Sequence, residues 1–150
     1  MRVVVQRVSE AEVSIDGQIH NRINRGLLIL LGIENRDSED DVQWLSKKIA
    51  SLRIFSDEEA KMNKSVMDIK GQILVVSQFT LHAKTKKGNR PSFIAAARPE
   101  QAIPLYETFV KRLSLDTQSS VLTGQFGANM QLSSCNDGPV TILIDSKNKE

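Results

Sequence analysis

The segment from Gly26 to Gly32 encloses five consecutive leucine and isoleucine residues at positions 27–31. A continuous apolar run this short does not support an independent helix, whose apolar residues recur at three- and four-residue spacing over ten or more positions. We therefore predict that residues 26–32 form a buried strand in the core of the protein.

Strand patterns also precede this run. Residues 2–8, 11–16 and 18–23 are predicted as three short strands separated by turn signals. Asp16-Gly17 lies between the last two of them, and an Asp-Gly pair between two alternating segments is typical of a β-hairpin. The chain is therefore expected to open with antiparallel strands.

Two helices are predicted. Ser38 followed by Asp41 resembles a capping box, and an apolar stripe follows it at Val42, Leu45, Ile49 and Leu52. A second helix is predicted to begin near Pro99 and to carry one apolar face at Tyr106, Phe109, Val110 and Leu113. Pro104 is expected to delay or kink this helix, because an interior proline removes a backbone hydrogen bond and clashes with the preceding turn.

The remaining segments complete the predicted organisation. A polar, turn-rich segment and a frayed tail are expected at residues 56–70 and 146–150. Further strands are predicted at 72–81, 119–125, 128–135 and 139–145. The helices fall between groups of strands instead of alternating with them, which favours an α+β fold with a mainly antiparallel, curved or barrel-like sheet. Residues 1–150 are expected to form one domain.

Several function classes are excluded by composition. Cys135 is the single cysteine, and only His20 and His82 accompany it, so neither an internal disulfide nor a Cys/His zinc cluster is expected. A net charge of +2 argues against a protein coated in positive charge. No glycine-rich nucleotide loop is present, so we expect no cofactor. The N-terminus lacks the apolar run of a signal peptide, which predicts a cytoplasmic protein.

Polar residues follow the apolar strand that begins at Gln72. Ser77, Gln78, Phe79 and Thr80 place hydroxyl and amide groups at its end, and these groups either form a site or only cap the strand. In a regular strand Gln78, Thr80 and His82 would share one face. A nucleophile and base pair of Thr80 and His82 is the weaker hypothesis, because side chains two apart in a strand are nearly parallel. His82 is instead expected at the surface or in the following loop.

Two further segments are candidates for binding. Residues 136–139, Asn-Asp-Gly-Pro, read as a turn, but a Gly138-Pro139 bond can also be cis and would then aim two adjacent carbonyls in nearly the same direction. A basic stretch is either a solvated loop or an RNA contact, and its cations are Lys84, Lys86, Lys87 and Arg90.

Taken together, three motifs closely resemble the D-aminoacyl-tRNA deacylase family. They are Ser-Gln-Phe-Thr-Leu at 77–81, Gly-Asn-Arg-Pro-Ser-Phe at 88–93 and Asn-Asp-Gly-Pro-Val-Thr at 136–141. Their order and spacing match, and the likeness extends over nearly the whole chain. It includes segments 6–8, 53–57 and 126–130.

The resemblance implies a homodimer that removes D-amino acids, and misattached glycine, from tRNA while sparing L-aminoacyl-tRNA. Gly138-Pro139, cis in the family, would enter the partner's site beside residues 77–80. Arg7 would hold that loop, and Met130 would line the adenosine side of the pocket. Asn136 would also contribute to substrate binding.

An aminoacyl ester is already activated, so such an enzyme needs mainly to position it and to stabilise the oxyanion. We predict that backbone N–H groups around Phe79 and Thr80 bind the oxyanion and that the tRNA 2′-hydroxyl assists. Two alternatives stay open: covalent catalysis by Thr80, and a tRNA-binding module without catalysis.

Overall fold

A six-stranded sheet and two α-helices make up most of the computed structural model, which describes residues 1–149. The elements in chain order are β1 (Arg2–Ile15), β2 (Gln18–Ile23), β3 (Gly26–Gly32), α1 (Glu39–Ala50), β4 (Phe55–Ser56), β5 (Met62–Lys64), β6 (Gln72–Ser77), a 3₁₀ turn (Phe79–His82), α2 (Pro99–Thr117), β7 (Val121–Thr123) and β8 (Met130–Asp145).

Strand β1 organises the sheet. It pairs antiparallel with β2, β3 and β8, whereas β3–β6 and β6–β7 pair in parallel. The path β2-β1-β3-β6-β7 curves until its two edge strands approach each other. The contact is seen where the side-chain amide of Asn21 in β2 donates a 2.6 Å hydrogen bond to the Thr123 carbonyl of β7. The predicted α+β fold with a barrel-like sheet is confirmed, and two of its pairings are parallel.

The apolar run in β3 is explained by burial on both faces of the sheet. Leu27 and Ile29 belong to the cluster that packs against the helices through residues such as Phe109. Leu28 belongs to a second cluster on the opposite face, together with Leu74 of β6. Successive strand residues point to opposite faces, so a strand covered on both sides is apolar throughout.

The N-terminal hairpin is confirmed, but its first strand is longer than predicted. Asp16 and Gly17 form the turn with φ values of 51° and 76°, as a two-residue hairpin of this kind requires. Residues 2–8 and 11–16 were predicted as separate strands, which is wrong, since β1 runs from Arg2 to Ile15. The gap between the two predicted strands is a bulge within β1. Val8 pairs with Asn136 and Glu10 pairs with Cys135, so Ser9 has no partner residue in β8.

Both helices form where the sequence predicts them. The capping box of Ser38 and Asp41 is present at the start of α1. Helix α2 begins at Pro99 and continues through Pro104, so the expected late start is not observed. Pro104 leaves only the Glu100 carbonyl without its helical partner, and both residues are exposed, so water can hydrate that carbonyl.

The C-terminal third differs most from the prediction. Strand β8 is continuous from Met130 to Asp145, so the predicted strands 128–135 and 139–145 are one element. The predicted strand 119–125 is shorter, at Val121–Thr123. The prediction of a frayed tail is wrong for Ser146, which is buried and donates a 2.7 Å hydrogen bond to Asp41. Glu150 lies outside the described residues.

No helix within residues 1–149 is long and apolar enough to cross a membrane.

Candidate active site

The first candidate segment changes conformation at Gln78. The predicted strand 72–81 ends at Ser77, and Phe79–His82 form a 3₁₀ turn. Gln78 still donates its N–H to the Leu31 carbonyl at 2.8 Å, and its own carbonyl accepts from Leu81 at 3.3 Å, which closes the turn. The prediction that Gln78, Thr80 and His82 share a strand face is therefore wrong.

The turn leaves backbone donors free at the strand end. The first N–H groups of a helical turn have no partner inside it, and among the described residues no hydrogen bond engages the N–H of Phe79 or Thr80. Ser77 and Gln78 are half-buried here, while Thr80 is exposed. The segment thus presents two adjacent backbone donors beside polar side chains.

Thr80 has an amide as its neighbour, not a base. The Gln78 side-chain nitrogen donates to the Thr80 hydroxyl at 2.5 Å, and an amide does not accept a proton at neutral pH. Among residues 1–149, no hydrogen bond joins Thr80 to His82 or to a carboxylate. The arrangement lacks the oriented base that activates a threonine nucleophile.

His82 is buried, which corrects its predicted place at the surface. Only 3% of its surface is exposed. A side chain at Gly32 would begin 3.1 Å from its Cδ2, so the ring fills the space beside the end of β3. Within the described part of the chain, its Nε2 has no hydrogen-bond partner.

Tyr106 of α2 supports the end of β6. Its hydroxyl donates a 2.8 Å hydrogen bond to the Val75 carbonyl, which also accepts from the Gly124 N–H at 3.1 Å. Burial raises the pKa of Tyr106 above its ordinary value, so the hydroxyl stays a donor. In the sequence, Tyr106 stands out only as part of the apolar face of the second helix, and that position is the single signal that it lies inside the core.

Met130 lies beside the same strand end. A Cβ built at Gly124 would be 2.6 Å from the Met130 sulfur and 3.6 Å from a methyl group of Val76. The Met130 side chain therefore lies directly against Gly124, in the space that a side chain at this position would enter. The half-buried Met130 adjoins the apolar part of β6 immediately before Ser77.

The Gly138-Pro139 segment forms a large bulge, not the turn that the sequence suggested. Gln6 pairs with Thr141 and Val8 with Asn136, so residues 137–140 lie opposite the single residue Arg7. The Gly138-Pro139 bond is cis, and Gly138 has a φ of 126°, which side-chain-bearing residues rarely adopt. Both residues of this bond are exposed, as is Asn136.

Arg7 is buried beneath this bulge. Its Nε donates to the Asp137 carbonyl at 3.0 Å and lies 3.3 Å from the Asp137 carboxylate. Its Nη1 donates to the Ile54 carbonyl at 2.6 Å. A side chain at Gly138 would begin 3.0 Å from Nη2. The guanidinium thus connects the bulge to the loop that follows α1.

The two candidate segments lie far apart within one chain. Ser77 is level with Leu31 and Val3, whereas the bulge is level with Arg7. The segments are therefore displaced by four residues along the strands, roughly 13 Å, and by three strand spacings across the sheet, roughly 14 Å. On the order of 20 Å separates them along the curved sheet, and among the described residues no backbone hydrogen bond joins the two segments.

The basic segment is an exposed loop. Lys84 and Ser92 form an antiparallel bridge at its base, with N–H to carbonyl distances of 2.8 and 3.0 Å. The loop between them carries the remaining predicted cations, Lys86, Lys87 and Arg90. Phe93 follows the bridge, and its ring centroid lies 5.1 Å from that of Phe79. The loop is therefore attached next to the 77–80 segment.

Cys135 is an exposed residue of β8. Within residues 1–149, no group of three or more histidine, cysteine or acidic side chains is arranged to hold a metal ion.

Sequence comparison connects these segments to known enzymes. A family model described as D-Tyr-tRNA(Tyr) deacylase matches residues 4–145. Curated proteins named D-aminoacyl-tRNA deacylase are similar over 100% of both chains, with 61% identity in Bacteroides fragilis strain YCH46, 61% in Flavobacterium psychrophilum and 62% in Cytophaga hutchinsonii.

Solved structures are similar as well. A chain titled c-Myc DNA Unwinding Element Binding Protein has a TM-score of 0.92 and 43% identity, with 97% of this chain and 98% of that chain covered. A chain from a structural analysis of a probable eukaryotic D-amino acid tRNA deacylase has a TM-score of 0.81 at 18% identity, with 95% and 97% covered, and supports the fold alone.

Proposed function

The chain belongs to the D-Tyr-tRNA(Tyr) deacylase family, and on that premise we propose that it hydrolyses the ester bond between a D-amino acid and the 3′ end of tRNA. The products are free D-amino acid and tRNA, and L-aminoacyl-tRNA is left intact. The single observation that carries the chemistry is the pair of free backbone N–H groups at Phe79 and Thr80, where β6 gives way to the 3₁₀ turn.

Hydrolysis proceeds without a covalent intermediate in this proposal. A water oxygen bonds to the ester carbonyl carbon, and the resulting oxyanion is stabilised by the N–H groups of Phe79 and Thr80. The carbonyl double bond then re-forms as the bond to the ribose oxygen breaks, and that oxygen takes up the proton that the attacking water releases. The neighbouring 2′-hydroxyl of the tRNA assists the proton transfers, consistent with the lack of a base beside Thr80 among the described residues.

Ser77 and Gln78 shape the wall of the pocket, and Met130 lines the side that receives the terminal adenosine. Two observations support these roles. Ser77 and Gln78 are half-buried and directly precede the free N–H groups in the chain, and Met130 adjoins the same strand through Gly124.

Chirality is sensed by a second copy of the chain. The exposed carbonyls of Gly138 and Pro139 enter the partner's site and hold the substrate α-amino group, so that an L-side chain meets backbone while a D-side chain points outward. Asn136 belongs to the same binding edge. The separation of the two segments within one chain supports a shared site, and the contacts of Arg7 with the bulge support its role in holding the carbonyls.

Exclusion by backbone has two consequences for specificity. Glycine has no side chain to exclude, so glycyl-tRNA is accepted. A pocket that leaves the D-side chain pointing outward also accepts many different D-amino acids, because it forms few contacts with that side chain.

The deciding experiment measures release of tyrosine from D-tyrosyl-tRNA and L-tyrosyl-tRNA by the purified full-length protein, with glycyl-tRNA as a third substrate. We expect rapid release of D-tyrosine and glycine and little release of L-tyrosine. Equal release of both enantiomers contradicts the chiral function. Binding of tRNA without ester loss would instead support a non-catalytic module, motivated by the basic loop.

A further inference from the structure

Two aromatic rings form an exposed corner beside the candidate site. Phe79 is 54% exposed and Phe93 is 37% exposed. Their ring centroids lie 5.1 Å apart, and the ring planes meet at 77°. Large apolar rings are normally buried, so two rings in contact with each other and open to solvent beside the candidate site form a candidate interaction surface.

The backbone holds this corner in place from both sides. Phe93 directly follows the bridge between Lys84 and Ser92. Beyond it, the Ala95 carbonyl accepts from the Asn35 N–H at 3.3 Å, and the Ala97 N–H donates to the Ile33 carbonyl at 2.9 Å. The Phe93 ring is therefore attached to a fixed framework, although it lies next to a long loop.

The basic loop next to the corner carries positive charge only, and the nearby acid Glu34, which bridges to Ala96, is already paired with Arg36 at 3.3 Å. No aspartate or glutamate occurs between Gly71 and Pro99. Among the described residues, no ion pair engages the four cations of the loop, which are Lys84, Lys86, Lys87 and Arg90. An anionic partner would be attracted here without displacing an existing salt bridge.

Exposed aromatic faces next to unpaired cations are the combination that binds single-stranded nucleic acid, because bases stack on the rings and phosphates contact the cations. We propose that Phe93, together with Phe79, is a stacking platform for the unpaired base that precedes the terminal adenosine in the 3′ strand of the tRNA, and that the strand's backbone follows the basic loop. This inference rests on the proposed function, since it concerns the same substrate.

The location of the corner agrees with this occupant. Phe79 contributes one ring and also one of the two N–H groups proposed to bind the oxyanion. A base stacked on this corner therefore lies close to the reacting ester. The platform would position the 3′ end before hydrolysis, which makes Phe93 a binding residue and not a catalytic one.

The test compares Phe93→Ala on two substrates, D-tyrosyl-tRNA and the minimal ester D-tyrosyl-adenosine. Loss of one stacked base is expected to lower kcat/KM on the tRNA by about 10-fold to 100-fold. On the minimal ester, which keeps the terminal adenine but has no preceding base, kcat/KM should stay within about 2-fold. Phe93→Trp should retain activity on both, and Ile94→Ala, which removes a neighbouring apolar side chain that is 77% exposed, is the matched control.

Three results would overturn the platform. Equal losses on both substrates would show that Phe93 only supports Phe79. Unchanged activity on the tRNA would show that no base stacks there. A change in the oligomeric state of Phe93→Ala, measured by sedimentation, would show that a second copy of the chain covers the rings. Wild-type protein that cleaves neither ester would instead contradict the proposed function itself.

Discussion

Arg7 donates a hydrogen bond from its Nε to the Asp137 carbonyl, a residue 130 positions away, and thereby occupies the space under the Gly138-Pro139 bulge. The same guanidinium donates to the Ile54 carbonyl. One buried side chain thus satisfies two backbone oxygens from different parts of the chain. The position of the bulge consequently depends on a contact that neither segment makes by itself.

Replacing Arg7 is expected to destabilise the protein and to reduce activity. In Arg7→Ala the two carbonyls lose their donor, which should lower the free energy of unfolding by about 2–4 kcal/mol. Arg7→Lys keeps the charge but not the planar set of donors, so its loss should be intermediate. Urea denaturation and deacylation assays measure both effects.

The control for this prediction is Arg22→Ala. The Arg22 side chain is 55% exposed and pairs with Glu10 at 3.1 Å, so its removal should change stability by less than about 1 kcal/mol. An Arg7→Ala protein as stable as Arg22→Ala would contradict the role of the buried contacts.

Tyr106→Phe should weaken the support behind the site without creating a cavity. The Val75 carbonyl would keep its bond from Gly124 but lose the one from the tyrosine hydroxyl. We expect a loss of about 1 kcal/mol in the free energy of unfolding, together with a lower kcat on D-tyrosyl-tRNA. Thr108→Ala, an exposed change on the same helix, serves as the control. An unchanged unfolding midpoint for Tyr106→Phe would argue against this bond.

Asp41 makes the fold sensitive to acid. Burial by itself raises the pKa of this carboxyl group, but hydrogen bonds from Lys147, Ser146 and the Ser38 backbone outweigh it and hold its pKa well below the ordinary value of 3.8. A carboxyl group with a depressed pKa stabilises the folded state above its unfolded pKa, and this contribution is lost as the pH falls below that value.

Asp41→Asn should accordingly be less stable than the wild type at neutral pH and should lose less stability between pH 4 and pH 2, roughly the range in which Asp41 of the unfolded chain becomes protonated. Thermal unfolding at a series of pH values tests this, with the exposed neighbour Asp40→Asn as control. Parallel stability curves for Asp41→Asn and wild type would be inconsistent with the proposed linkage.

Thr80→Ala should retain turnover within about 10-fold of wild type, because the oxyanion is bound by backbone groups that the substitution leaves in place. A loss of a thousandfold or more in a folded variant would restore the covalent hypothesis.

A substrate whose terminal 2′-hydroxyl is replaced by hydrogen should react much more slowly. Unchanged hydrolysis of that substrate would count against assistance by the tRNA.

The basic loop should act through its charge. The double variant Lys86→Ala, Lys87→Ala is expected to raise KM for charged tRNA, to leave kcat nearly constant, and to reduce the slope of log affinity against log salt by roughly 1 to 2. Lys61→Ala, in which the lost ammonium group was paired with Glu59, is the matched control. Equal salt dependence in both variants would indicate that the loop is only solvated.

Much of the local structure could be predicted. The Asp16-Gly17 hairpin and the capping box of Ser38 and Asp41 form as expected. The buried strand at residues 26–32 also forms. Each of these structures depends on only a few consecutive residues, so a local sequence pattern is enough to specify it. The end of β6 was placed four residues too late, because the residues at 78–81 suit both a strand and the 3₁₀ turn.

The candidate site was only partly predictable. The motifs at residues 77–80 and 138–139 stand out in the sequence, since polar or turn-forming residues adjoin apolar strands. The N–H groups around Phe79 and Thr80 were predicted to bind the oxyanion, but the pattern did not show that the strand ends at Ser77, which is what leaves them free. The burial of His82 and the bond from Tyr106 to Val75 depend on packing between segments far apart in the chain.

The sequence by itself therefore determined the order of the elements, the hairpin, the helix starts and the motifs, because periodicity, capping and turn chemistry act over a few neighbouring residues. Only the tertiary structure decided that residues 137–140 form a bulge opposite Arg7 and that this bulge lies far from Ser77 in the same chain. The physical reason is strand register. Pairing between β1 and β8 joins residues more than a hundred positions apart, and no local pattern specifies which of them meet.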